Sequence, residues 1–218
     1  MQIYTKIVEE YPDSDLAPVA QLKLAMWHLW NKKYQDSLDA VSEFEEMFPG
    51  HKLMPQAEDV ALTAFERMTT KLIAEEDFDR VVQVWDKIRT LRNLEDRFDP
   101  KLRIALALSF SKRGDHATAL DMITPMFRGV GSPEYSEMAL HLALSIFLDS
   151  QEWDKILDLA KKVELWELTP GSQQELDYAM ALAYENLHQR DKSAELWAKL
   201  TQNKRLSPAQ KAYTLYFL

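Results

Sequence analysis

No cysteine occurs in the 218 residues, which removes disulfides, thiolate zinc sites and cysteine nucleophiles and leaves the redox compartment open. Glycine is scarce, at 5 residues. β-Branched residues are few beside Leu, Ala, Glu and Lys, a balance that suits helices better than turn-rich sheets. No apolar run approaches the ~20 residues of a membrane span, so no direct membrane insertion is expected. Positive charge is in deficit: 26 Lys and Arg against 35 Asp and Glu leave a net charge of -9, a mean field that repels phosphate backbones and anionic headgroups. No nucleic-acid partner is therefore expected. The opening MQIYTKIVEEYP has neither the basic start nor the continuous apolar stretch of a signal peptide. The protein is then either cytosolic, or periplasmic with an export signal that precedes this sequence.

Reactive constellations are also missing. The histidines, His28, His51, His116, His141 and His188, form no H-x-x-x-H pair and no metal-ligand spacing on one helix. The G-x-G of RGVGS, residues 128 to 132, follows a helix rather than a strand and lacks the Lys-Ser/Thr of a phosphate loop, so it reads as a helix stop followed by a cap. Carboxylate pairs such as Glu45 with Glu46 and Glu75 with Glu76 are expected at turns and solvated faces rather than in a catalytic site. Arg89, Arg92 and Arg97 alternate with Glu95 and Asp96 as a mixed surface. The expectation is a non-enzyme with no catalytic residue, no cofactor and no metal.

What is present is a spacing. In KKYQDSLDAVSEFEEMFPGH, residues 32 to 51, Tyr34, Ser37, Leu38, Val41 and Phe44 recur at three and four, and Pro49 stops the pattern. The same helix returns along the chain. One apolar series runs Tyr4, Val41, Trp85, Ile123, Ala160, Trp197 and a second Ile7, Phe44, Ile88, Met126, Val163, Leu200, each stepping by 37, 44, 38, 37 and 37 residues. A third, Ser37, Val81, Ala119, Ile156, Ser193, is small or β-branched throughout, so two helices can approach closely there. Between these lie helices over 15–31, 53–75, 99–113, 132–150, 172–188 and 207 onward. Asp99-Pro100, Ser132-Pro133 and Ser207-Pro208 put a capping oxygen before a proline at the first helical position, and Ser172 with Glu175 and Ser207 with Gln210 have capping-box spacing. The connections NKK, EED, RGD, SQE and HQR are short, so each pair is an antiparallel hairpin. One hairpin cannot bury its apolar face alone; stacked hairpins form a continuous core. Two irregularities are expected to be local: the 44-residue step lengthens the helix 53–75 by about two turns, and Pro125 kinks the helix 115–128.

With Ala25, Ala107 and Ala181 of the first helices facing the small series and Pro49 at a repeat end, the whole chain resembles the tetratricopeptide repeat family. It departs from the family pattern where alanine replaces the first-helix glycine. The segment Tyr11 to Ala57, framed by YP and FPGH, resembles repeats of bacterial outer-membrane assembly lipoproteins and of periplasmic Tol-Pal partners. The resemblance implies an all-α, right-handed superhelical solenoid of about 12 helices and a setting in a bacterial envelope complex. As one array it would comprise a partial repeat at 1–12, repeats at 15–50, 53–95, 99–130, 132–168 and 172–205, and a partial repeat at 207–218. Tyr4 and Ile7 occupy second-helix positions without a first helix, and the last helix carries Tyr213, Leu215, Tyr216, Phe217 and Leu218 where a polar cap face is expected. A fragment of a longer protein, or self-association through the end repeats, would account for both.

In such arrays the first helices line the concave face, and by register its partner-binding positions are Leu22, Met26, Leu29 and Trp30; Glu66, Thr70 and Ile73; Ile104, Leu108 and Ser111; Met138, His141 and Ser145; Tyr178, Leu182 and Glu185. The helix 15–31 is apolar nearly all round and must be covered on more than one side, either by neighbouring hairpins or by an apolar peptide partner, for which Met is adaptable and Trp an anchor. Clamps for acidic C-terminal peptides need Lys and Asn on adjacent first helices; Leu22 and Met26 stand where the first would be, so no preference for carboxylate tails is expected. The leading reading is a scaffold for a protein or peptide partner. An accessory helical domain of a larger enzyme, such as a peptidoglycan-processing one, and a homotypic assembly module compete with it.

Overall fold

The computed structural model describes residues 1–128 and 132–201, which form twelve α-helices and two short 3-10 segments, with no strand among the described residues. The helix expected from residue 207 on, with its cap at Ser207, and the glycines of RGVGS lie outside the described residues.

The chain divides into two compact units, Met1–Met122 and the residues from Ile123 on. The first contains α1 (Gln2–Glu10), α2 (Ala17–Trp30), α3 (Tyr34–Met47), α4 (Met54–Ala74), α5 (Phe78–Lys87), α6 (Arg89–Asn93) and α7 (Pro100–Lys112), with a 3-10 turn at Glu95–Arg97. Helix α8 (His116–Ile123) and the 3-10 segment Thr124–Arg128 pass into the second, which holds α9 (Pro133–Asp149), α10 (Trp153–Lys162), α11 (Pro170–Asn186) and α12 (Arg190–Thr201). In the first unit α2 packs on α1, α3 and α4, and α4 on α5, α6 and α7. In the second, α9, α10 and α11 pack on one another and α11 packs on α12.

Helix starts follow the Pro rule. Pro18, Pro55, Pro100, Pro133 and Pro170 all sit in first turns, where the missing N–H costs nothing. Asp99 accepts from the Leu102 amide at 2.7 Å, and Asp77 accepts from the Arg80 amide at 3.1 Å, each satisfying an orphan donor. Ser132 holds the cap position of α9 in extended backbone but makes no side-chain cap bond. Ser172 does not open its helix: α11 begins at Pro170 with Thr169 as its cap, accepting from the Ser172 amide at 3.3 Å.

The turns repeat as the helices do. Lys32, Glu76, Gly114, Gln151 and His188 all have positive φ, between 56° and 82°, and they step by 44, 38, 37 and 37 residues, the period of the apolar series. After each, the next amide reaches back five residues: Lys33 to the His28 carbonyl at 2.9 Å, Asp77 to Leu72 at 2.9 Å, Asp115 to Phe110 at 3.0 Å, Glu152 to Phe147 at 2.8 Å and Gln189 to Tyr184 at 2.8 Å. This is the Schellman closure, in which a left-handed residue turns the chain and satisfies the last carbonyls of the first helix. Only Gly114 adopts that backbone freely. The four other residues accept a cost of roughly 1–2 kcal/mol each, which the packing of the following helix must offset.

The small series lies inside. Ser37, Val81, Ala119, Ile156 and Ser193 are buried, as are Ala25, Ala107 and Ala181 of the first helices. Contact at this point is direct in the first pair, where the Ser37 hydroxyl donates to the Ala25 carbonyl at 2.9 Å. Both apolar series are buried from Val41 and Phe44 onward, but α1 buries no residue and Tyr4 is exposed, so the core reading fails for that helix. Helix α4 has 21 residues against 14 in α2, the expected two extra turns. Phe65, Trp85 and Phe98 fill the space beside it, with ring centroids 5.5 to 6.2 Å apart. Pro125 does more than kink its helix: α8 ends at Ile123 and the chain continues as 3-10 turn, because the ring lacks the N–H that an α turn needs and crowds the carbonyl four residues back.

Candidate functional site

The first-helix positions divide sharply. Leu22, Leu29 and Ile104 are buried and offer no surface. Helix α2 also buries Ala17, Pro18, Ala20, Gln21, Leu24 and Ala25; Gln21 donates to the Ala40 carbonyl at 2.9 Å and to the Glu43 carboxylate at 2.9 Å. Its apolar circumference is covered by α1, α3 and α4, with Met26 half-buried and Trp30, at 65% exposure, left outside. Leu108 is half-buried. Tyr178 packs edge-on against Trp197, centroids 5.5 Å apart, and Glu185 accepts from the Ser193 hydroxyl at 2.8 Å. These last two belong to the α11–α12 contact.

Met138 and His141 are brought together with other polar side chains. The N-terminal halves of α9 and α11 border an open cleft of about 640 Å³, lined on one side by Glu134, Glu137, Met138 and His141 and on the other by Ser172 and Glu175. Glu137 and His141 are one turn apart on α9, as Ser172 and Glu175 are on α11, so each pair shares a face. Met138 is 43% exposed at the edge of the cleft.

Hydrogen bonds tie the two helices. Glu137 accepts from the Thr169 amide at 2.8 Å, from the Thr169 hydroxyl at 2.7 Å and, in a short contact, from the Ser172 hydroxyl. His141 Nε2 lies 3.0 Å from the Ser172 hydroxyl, and its Nδ1 meets the Glu175 carboxylate. Burial alone would raise the pKa of Glu137, but the Ser172 and Thr169 hydroxyls, the Thr169 amide and the charge of His141 outweigh it and hold the carboxyl below its ordinary value. The stabilisation from this depressed group is complete above the unfolded-state carboxyl pKa and is lost as the pH falls through the folded one.

Ser172, His141 and Glu175 have the connectivity of an acyl-transfer triad, but the protons are placed differently. An ionised carboxylate can only accept, so the Ser172 proton is committed to Glu137. Ser172 is moreover only 2% exposed. The arrangement can clamp α9 to α11; it does not present a nucleophile. Among the described residues no group of three or more His, Asp or Glu side chains is arranged to hold a metal ion.

Sequence reasoning placed His141 on this face but missed Glu137, Thr169 and the role of Ser172. One signal was available: Thr169-Pro170 lies 37 residues after Ser132-Pro133, the repeat step, and has the same cap-proline form. A second, smaller pocket lies between α4 and α7, bordered by Glu66, Thr70 and Ile73 of the expected set together with Lys101, Leu102 and Ala105. Compared with protein-family models and with curated proteins, the sequence matches none.

Proposed function

We propose that this chain is a non-enzymatic scaffold of tetratricopeptide-like hairpins that binds a protein or peptide along its first helices. The observation that carries the reading is that in each unit a cleft opens between first helices of successive pairs, α4 with α7 and α9 with α11. The hydroxyl and imidazole of the larger cleft are committed to holding its walls. The recurrence of the left-handed turn at the repeat step supports a solenoid built from one unit, and the exposed Met138 beside the α9–α11 cleft supplies the adaptable apolar contact that partner surfaces favour.

The test is site-specific photo-crosslinking in the native cells, with the reactive residue placed at Met138, at Trp30, or at Leu165, which is 94% exposed on the α10–α11 connection. A discrete protein adduct is expected from Met138, with none from Leu165. Adducts from Leu165 alone, or none from either first-helix position, contradict the proposal.

A further inference from the structure

The α9–α11 cleft carries a charge that its own walls do not balance. Most of its lining is carbon, with Pro133 and Met138 on one wall and Gly171 on the other, and Met138 is 43% exposed there. Four carboxylates border this apolar groove, Glu134 and Glu137 from α9, Glu167 from the connection before α11 and Glu175 from α11, while no lysine or arginine does.

The four are not equivalent. Glu137 is held by Thr169 and Ser172, and Glu175 by His141. Glu134 and Glu167 are exposed and take no hydrogen bond or ion pair among the described residues. One free carboxylate thus stands on each side of the groove. A cleft lined by one sign of charge between low-dielectric walls concentrates the opposite charge inside it.

We infer that this cleft receives a basic segment of the bound partner, one lysine or arginine side chain pairing with Glu134 and Glu167 while an apolar neighbour lies against Met138. The inference rests on the scaffold reading and gives it a ligand chemistry. Charge complementarity selects this occupant over the others. An acidic segment is repelled from both walls, and an uncharged apolar one strips water from two carboxylates without offering them a donor.

The full chain, labelled with nitrogen-15, is titrated at low salt with N-acetyl-leucyl-arginyl-leucinamide and with the matching citrulline and glutamate peptides, following amide shifts. Citrulline keeps the shape of arginine and removes its charge. Shifts are expected around Glu134, Met138 and Gly171, with the arginine peptide bound about five-fold more tightly than the citrulline one, the size of one or two exposed ion pairs. The difference shrinks as salt is raised. Glu134→Gln combined with Glu167→Gln removes the preference and leaves the thermal midpoint in place, because both side chains are exposed. Gly171→Lys, at a position where an added Cβ meets no atom within 4 Å, puts a cation into the cleft and removes the preference from the other direction. No shifts with the arginine peptide, equal binding of the arginine and citrulline peptides, tighter binding of the glutamate peptide, a preference that survives in the double variant, or the same shifts from calcium chloride would overturn the inference. Any of these with a partner still crosslinked at Met138 removes the basic ligand and leaves the scaffold; the arginine preference with no crosslink at Met138 or Trp30 counts against the scaffold alone.

Discussion

Ala119→Glu lowers the thermal midpoint by about 10 °C or more at neutral pH. Ala119 is fully buried on α8, at the position where every second helix carries a small or β-branched residue. A carboxylate there has no cationic partner supplied by the repeat pattern and must either stay charged in an apolar site or take up a proton. Breaking the balance of a buried charge in this way costs about 3–5 kcal/mol, against a total stability of roughly 5–15 kcal/mol for a domain. At roughly 2–4 °C per kcal/mol for a chain of this size, the shift is unmistakable in a calorimetric scan. The control is Ala117→Glu, two residues away on the exposed side of the same helix, where the change should stay within about 0.5 kcal/mol. Equal shifts for the two variants would mean that the small series does not mark a close contact.

Trp197→Ala comes next in size. Trp197 is completely buried and packs with Ala181 and Leu200, beside the half-buried Tyr178, Leu182 and Leu196. The small Ala181 on the first helix leaves the room that the indole fills on the second, so truncation opens a cavity that the surrounding helices close only in part. The expected loss is about 3–5 kcal/mol, read from the midpoint of urea unfolding followed by circular dichroism. Trp30→Ala deletes the same side chain from a position that is 65% exposed and should move that midpoint little. A small effect at Trp197 would place the indole outside the core and break the first of the two apolar series.

The contrast between those two tryptophans shows what the sequence could and could not disclose. Residues that recur at a fixed step, Ser37, Val81 and Ala119 among them, announce their burial because close helix contact needs the same small volume each time. The turn conformation is different. Only Gly114 signals a left-handed residue by its identity, whereas Lys32, Glu76, Gln151 and His188 are held there by the helices on either side, and local propensity carries no trace of that. The break at Ile88, whose extended backbone separates α5 from α6, has neither proline nor glycine to announce it. On α7 the expected surface residue Ile104 is buried, while Lys101 and Ala105 reach the pocket. A register error of one residue turns a helix by about 100°, enough to exchange a surface position for a core one. The Glu137, Thr169, Ser172 and His141 network joins residues 31 to 35 apart; side chains brought together by packing leave no mark in linear spacing.

The account turns on one hairpin geometry recurring along the chain, and amide hydrogen exchange measured residue by residue tests it most directly. The amides of Lys33, Asp77, Asp115, Glu152 and Gln189 sit in short surface turns, yet each donates to a carbonyl five residues back. They should exchange as slowly as the last-turn amides of the helices they close. Exchange at the rate of an open loop in two or more of the five would contradict it.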